Sequence, residues 1–405
     1  MPCWASRSRP WRTGASRWAA MKTAFWVSAF LVAYIYVGYP LLLAVWARLR
    51  PADGPRSATV EPHGLPYVSV VLAARNEGHQ LRRRLDNLLS QDYPADRFEI
   101  VVVSDGSTDD TPRVAARYAP RVRYLPLPRG GKALALNAGV REARHPILVF
   151  ADARQRFAAD ALRRLVAPFA DPRIGGVSGE LHLGTEAEGG RRGEPRDEGV
   201  GEGVGLYWEY EKWIRRKESA VASVVGTTGA IYALRRAAWR DLPSNAILDD
   251  VLTPMRAVLM GYRVVFEPAA RAFDMTPADA EVERRRKTRT LAGNYQLLRL
   301  EPRLFVPGLN PVWLQFVSHK IGRLVVPYAL VALLVSNSAL ASAGPLYSLA
   351  LILQVAFYVL ALHGATLALA PAVQQRPARE ASKAPATLDT ARSRVPKEWM
   401  NASLD

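Results

Sequence analysis

The stretch from Ala24 to Trp46 contains no charged side chain, and at about 1.5 Å of helical rise per residue it is long enough to cross a hydrocarbon core. A fold that includes it has to begin in a bilayer. The run is too long for a secretory signal and lacks a small-residue cleavage site, so residues 24–46 read as a transmembrane helix. Pro40 is expected to kink that helix without ending it, and Tyr34, Tyr36 and Tyr39 give it an amphipathic edge. Two more apolar runs, residues 324–340 and 345–369, read as further spans, with Pro345 marking the turn between them. Ahead of them, residues 308–323 mix Trp313 and Phe316 with His319, Lys320 and Arg323 and read as an interfacial amphipathic helix.

Residues 1–23 form an Arg- and Ser-rich extension, either a targeting arm or sequence upstream of a true start at Met21. Counted from Met21, the basic excess follows the first span at Arg48, Arg50 and Arg56. This places the middle of the chain in the cytosol of a multi-pass protein of the cytoplasmic (inner) membrane. Residues 370–405, with Pro371 near their start, read as a flexible cytosolic tail. Lys and Arg number 54 against 37 Asp and Glu, a net +17 that would suit nucleic acid, phosphate-rich substrates or an anionic membrane face. The arginines form no nucleic-acid recognition module, so no nucleic-acid partner is expected. The single cysteine, Cys3, excludes an intrachain disulfide framework and a Cys-rich metal centre.

After a linker at residues 47–66, residues 67–300 alternate strands and helices, the pattern of βαβ units whose ligands bind beyond the carboxyl ends of the strands. Chemistry-bearing residues stand at four such ends: Asn76 and Glu77, Asp105, Gly130-Gly131-Lys132, and Asp152. Carboxylates there can bind a ribose or a base, and a Gly-Gly-Lys turn opening a helix offers N–H groups and a cation to phosphate, so the set describes a nucleotide site. Neither a dinucleotide fingerprint nor a P-loop is present. Thr185 to Gly205, rich in Gly, Glu and Arg, reads as a mobile insertion. Phe273 to Pro277 reads as a turn. Asp249 and Asp250 open a helix, and an ionised carboxylate in that position suits a general base.

Taken in order, Val71–Glu77, Asp105–Asp109, Gly131-Lys132-Ala133 with Asn137 and Gly139, and Phe150–Ala153 resemble the nucleotide-sugar half of family 2 inverting glycosyltransferases. The likeness is to the membrane-bound branch that includes cellulose, hyaluronan, poly-N-acetylglucosamine and glucosylceramide synthases. The resemblance implies an α/β, GT-A-like nucleotide-sugar-binding fold with a mostly parallel central sheet, plus transmembrane helices. It implies a nucleoside diphosphate sugar donor (UDP- or GDP-sugar), Mg²⁺ or Mn²⁺, a membrane lipid, lipid-linked or short glycan acceptor, and partners in envelope biosynthesis. By the same resemblance Asp250 would be the base and Asp249 would orient it. Asn76, Glu77, Asp105, Lys132, Asp152, Arg286 and Arg289 would hold the nucleotide and diphosphate, with Asp152 on the metal. Gly179, Glu180, Thr228 and Gly229 would line the sugar and acceptor cleft.

Three positions depart from the family pattern. Arg154 stands where a second metal-binding carboxylate is expected, Arg286 replaces a glutamine, and Thr290 replaces a tryptophan that serves the acceptor channel of polymer-extruding members. The last favours a short or lipid-like acceptor. A processive polysaccharide synthase subunit and a catalytically inactive membrane scaffold remain as alternatives.

Overall fold

The computed structural model describes residues 14–50, 64–183, 202–274 and 280–381. The insertion expected at Thr185 to Gly205 falls largely outside these residues, as do most of the 47–66 linker and the Met275–Pro277 part of the expected turn.

Helices α1 (Gly14–Ala33) and α2 (Tyr39–Leu49) are joined by a π-helical turn, Tyr34–Gly38, into one rod. It starts ten residues ahead of the apolar run, so half of the basic extension is helical. Pro40 has no N–H to give the Tyr36 carbonyl four residues back, and the Tyr210 hydroxyl donates to that carbonyl at 2.8 Å instead.

The central sheet has eight strands: β1 (Val68–Ala74), β2 (Phe98–Asp105), β3 (Val122–Leu127), β4 (Ile147–Ala151), β5 (Arg156–Phe157), β6 (Ile174–Leu183), β7 (Ile231–Arg235) and β8 (Arg263–Asp274). Their order is β3-β2-β1-β4-β7-β6-β8-β5. The first four are parallel; β1, β2 and β4 carry the near-continuous apolar runs of strands buried on both faces, while β3, at the sheet edge, is mostly half-buried. Beyond β4 the sheet is mixed, with β7 antiparallel to both its neighbours and β6 parallel to β8. Phe273 and Asp274 are the last residues of β8, paired with His182 and Leu183, and not a turn. Pro268 is tolerated within β8 because the register shifts between Ser178 and Glu180 on β6, opposite residues 267–270.

Helices α3 (Gly78–Leu89), α4 (Thr111–Ala116) and α6 (Ala161–Val166) cover one face of the sheet, and α5 (Lys132–Glu142) and α8 (Asp249–Leu259) the other. Then α7 (Glu202–Val221) and α9 (Ala280–Leu300) lead toward the membrane, followed by α10 (Trp313–Phe316), α11 (Gly322–Leu340) and α12 (Pro345–Ala381).

Among the described residues, three stretches are long and apolar enough to span a bilayer: Ser16–Leu49, Trp313–Ala343 and Pro345–Gly364. The expected interfacial helix at 308–323 is replaced by something different. From Trp313 onward, α10, a π turn at Val317–Ile321 and α11 form one continuous helix, with Gln315, Phe316, Ser318 and His319 buried against the sheet domain. Helix α12 runs on past residue 370, through Pro371 and Pro377, to Ala381, so the first part of the expected flexible tail is helical and the rest lies outside the described residues.

A polar junction fixes the spans to the sheet domain. Glu218 on α7 is fully buried, accepts the Tyr39 hydroxyl at 2.7 Å, and lies 2.8 Å from His319 Nδ1. Glu211, nearer the start of α7, binds His319 Nε2 at 3.2 Å and is also paired with Arg323, and these cations hold its carboxyl well below the usual range despite burial. Gly322 lets α11 close onto Ile35, where a Cβ would collide with the isoleucine side chain.

Removing one member of a buried ionic cluster leaves the rest uncompensated. Glu218→Ala is therefore expected to destabilise the detergent-solubilised protein by about 3 kcal/mol. Tyr39→Phe, which deletes one hydrogen bond, should cost about 1 kcal/mol. Thermal unfolding of the variants checks both, and an unchanged midpoint for Glu218→Ala would mean that the junction does not hold the spans.

Candidate active site

The chain leaves β1 toward β2 and β3 on one side and returns to β4 on the other, so the topological switch point lies at the carboxyl ends of β1 and β4. Asn76 follows β1 with φ of 53°, a left-handed conformation that asparagine tolerates. Its Oδ1 accepts the Thr108 N–H at 2.9 Å, and the Glu77 N–H donates to the Thr111 hydroxyl at 3.0 Å, which laces the end of β1 to the segment after β2. Burial raises the Glu77 carboxyl, with Arg154 pulling it back.

Asp105, the last residue of β2, accepts the N–H groups of Gly130 and Gly131 on one oxygen, at 2.6 and 2.8 Å. That bond fixes the turn before α5. Gly131 adopts φ of 96°, which a side chain would strain, and this sends Lys132 into the crevice as the first residue of the helix.

Lys132 Nζ lies 3.3 Å from Asp152 Oδ1 and 3.2 Å from Asp249 Oδ2. Burial would depress its ammonium, but Asp249, Asp152 and Asp250 more than reverse that and hold it above the usual lysine range. Asp152 follows β4, and Asp249 and Asp250 form the first turn of α8, so one ammonium joins the parallel sheet to the helix that follows the mixed half. Pairing of Ala151 with Ile231 brings the 226–230 turn to the same end of the sheet. Thr227 grips the Asp250 carbonyl through its N–H at 2.8 Å and its hydroxyl at 2.9 Å. A Cβ on Gly229 would stand 3.2 Å from Asp250 Oδ2, and Thr228 is held by Ser178 on β6. Burial first and Asp249 second raise the Asp250 carboxyl, while Lys132, Lys320 and Arg215 draw it back. The crevice thus holds a half-buried carboxylate of raised proton affinity beside a cation, a set able to take a proton and to receive an anion.

The remaining predicted positions divide. Arg289 on α9 donates to the Ile247 carbonyl at 3.3 Å, two residues before Asp249, and Gly293 packs on Leu248, so α9 borders the crevice. Arg286 lies one turn earlier, half-buried, with no ion pair among the described residues. Gly179 packs against the Ala270 carbonyl. Glu180 does not face an open cleft: it is buried and paired with Lys212 at 3.0 Å, Arg216 at 3.4 Å and His182 at 3.2 Å, which makes it an anchor for α7. Sequence reasoning missed Arg215, Thr227 and Lys320. Lys320 had a visible signal, a lysine at the head of an apolar run.

Residues 69–241 match the model of Glycosyl transferase family 2. The match covers less than half of the chain and includes Asp105, Lys132 and Asp152 but not Asp249 or Asp250. It is 28% identical over 260 residues to a probable glycosyltransferase, YdaM, of Bacillus subtilis, covering 60% of this chain and 58% of that one. Over 187 residues it is 30% identical to a beta-monoglucosyldiacylglycerol synthase of Synechocystis, covering 42% and 39%. The chain therefore spans less than two thirds of these relatives' length. Among solved structures, the mannosyltransferase PcManGT of Pyrobaculum calidifontis, in complex with GDP-Man and Mn²⁺, superposes with a TM-score of 0.63 at 25% identity, covering 83% of this chain and 92% of that one. The GT-A-like fold is thus shared over most of both chains.

The Asp105 clamp generates a structural test within this family fold. Hydrogen bonds to a charged acceptor contribute about 1.5–3 kcal/mol, so Asp105→Ala should release the turn and speed hydrogen exchange at the Gly130 and Gly131 amides by roughly 10- to 100-fold. Unchanged protection there would show that the turn is held by other contacts.

Proposed function

We propose that the protein is an inverting glycosyltransferase that moves a sugar from a nucleoside diphosphate sugar to a membrane-associated lipid or short glycan acceptor, from the cytosolic side of the inner membrane. The observation that supports this best is the Lys132 bridge between Asp152 and Asp249, which sets a nucleotide-binding sheet end and a raised-pKa carboxylate in one crevice. In this reading the acceptor hydroxyl gives its proton to Asp250 as its oxygen attacks the anomeric carbon, and the bond from that carbon to the diphosphate breaks on the opposite face. Lys132 and Arg289 receive the charge developing on the leaving diphosphate. Asp105, beyond its grip on the turn, and Asn76 and Glu77 border the nucleoside. Thr228 and Gly229 border the transferred sugar.

PcManGT is named as a complex with GDP-Man and Mn²⁺, which supports an NDP-sugar donor and a divalent cation here. Among the described residues no three His, Cys, Asp or Glu side chains converge as a metal site. Asp152 nevertheless fits one that the substrate completes, with diphosphate oxygens and water as the other ligands; the cation would then balance diphosphate charge. The glucosyldiacylglycerol synthase relative supports a lipid acceptor, and Thr290 in place of an aromatic supports a short one.

Asp250→Asn should reduce transfer by about 10²- to 10⁴-fold with donor affinity nearly unchanged, because the amide keeps the shape but takes no proton. Wild-type turnover in a folded sample would remove Asp250 from the base role. A raised Asp250 pKa places the acid limb of the pH–rate profile above the ordinary carboxylate range: activity is present above that pKa and lost as pH falls through it. Removing the neighbouring charge with Asp249→Asn should move that limb to lower pH in whatever turnover remains. Chelation should lower turnover and Mg²⁺ or Mn²⁺ restore it, whereas full activity in chelator would leave the diphosphate to Lys132, Arg154 and Arg289.

A further inference from the structure

The reaction proposed above makes no use of a second pair of cations beside Asp250. Arg215 comes from α7 and donates to the Thr228 hydroxyl at 2.7 Å. Lys320 comes from the π turn that opens the second span, and its Nζ lies 3.6 Å from where a Cβ on Gly226 would stand. The two thus flank Thr227, the turn residue that holds Asp250. Both are half-buried, near enough to repel one another and to act on the Asp250 carboxylate.

Among the described residues neither makes an ion pair, and the acids that could have paired with them are engaged elsewhere. On α7, Glu211 is bound to His319 and Arg323, Glu218 to Tyr39 and His319, and Glu209 to Lys212. Two like charges held together out of bulk water are costly, and the single Asp250 carboxylate beside them can offset only one of the two until a further anion joins them. An arginine fork beside a lysine point charge suits the tetrahedral oxygens of a phosphate. One of the pair belongs to a membrane span and the other to the helix docked on it, so the anion sits where the bilayer meets the crevice.

We propose that Arg215 and Lys320 seat a phosphate group carried by the membrane-embedded acceptor and so present its hydroxyl to Asp250. The acceptor class is then a phosphate-bearing lipid and not a neutral diacylglycerol. This rests on the reading of Asp250 as the base.

The test uses the purified full-length protein in detergent micelles, with binding read from the shift in thermal unfolding midpoint on titration of dioctanoyl phosphatidic acid, dioctanoylglycerol or inorganic phosphate, and of UDP and GDP in parallel. Dioctanoyl phosphatidic acid should bind at least about tenfold more tightly than dioctanoylglycerol. Arg215→Gln and Lys320→Gln should each abolish most of that preference, Lys320→Arg should keep it, and nucleotide affinity should stay unchanged throughout. Equal binding of the two lipids overturns the proposal, as does wild-type preference in both Gln variants. Equal protection by inorganic phosphate also overturns it, since the pair would then serve a soluble anion. Parallel loss of nucleotide affinity assigns the pair to the donor pocket and overturns it too. Should Lys320→Gln fail to fold, Arg215→Gln and the lipid comparison in the wild type decide. A wild-type protein that binds neither UDP nor GDP refutes the glycosyl-transfer reading itself, a result distinct from retained nucleotide binding without lipid discrimination.

Discussion

The arrangement of the crevice depends on one ammonium with two carboxylates. Asp249 and Asp152 both face Lys132 and outweigh the effect of its partial burial, which holds the ammonium ionised between them. A partly buried ionic group of this kind is a poor source of net stability, since an apolar replacement of the same volume is often as stable. Its physical consequence is positional. Lys132 is the first residue of α5, whose approach is set by Asp105, so the ends of β2 and β4 and the start of α8 are coupled through one contact. Displacing any of the three elements would leave a charge uncompensated.

The same logic recurs where the spans meet the sheet domain. His319 and Arg323 lie on the second span and Tyr39 on the first, and all reach for Glu211 or Glu218 on α7. Because α7 also carries Arg215, and the π turn carrying His319 also carries Lys320, the junction that docks the membrane helices fixes the position of the two cations beside Asp250. The π turns bracket this junction in both spans, at Tyr34–Gly38 and Val317–Ile321, and Tyr34 and Ser318 hydrogen-bond across it at 2.9 Å. A π turn widens the helix and rotates its next segment, which lets a span supply side chains to a domain it does not run parallel to.

Features encoded by neighbouring residues are readable in the sequence. The apolar runs, the parallel strands and the polar residues at their carboxyl ends each depend on a local pattern, and the structure places Asp105, Lys132, Asp152, Asp249 and Asp250 around one crevice. Features that depend on partners distant in the chain are not readable in this way. Residues 308–323 have the composition of an interfacial helix, but the partners that bury His319 are two glutamates on α7 that local periodicity cannot reveal. Glu180 sits in a family-like segment beside the crevice, yet Lys212 and Arg216 claim its carboxylate. Pro268 reads as the end of a strand unless the bulge of β8 at residues 267–270, opposite Gly179 of β6, is known, and this hides the continuation of β8 to Asp274.

Arg154 is the most conspicuous departure in the sequence, and its surroundings reduce the conflict it poses. The residue is exposed, and its charge acts on Glu77 at the end of β1, where it offsets the rise that burial imposes on that carboxyl. Asp152 meanwhile has Lys132 in contact and the fully buried Arg84 close enough to feel its field. The carboxylate of Asp152 is therefore already faced by cations before any metal ion enters. A diphosphate would find two cationic side chains, Lys132 and Arg154, at the ends of β3 and β4, and a divalent ion would be drawn in chiefly by the diphosphate it accompanies. On this electrostatic ground, donor and cation should arrive together, with the carboxylate of Asp152 too heavily neutralised to recruit the ion alone.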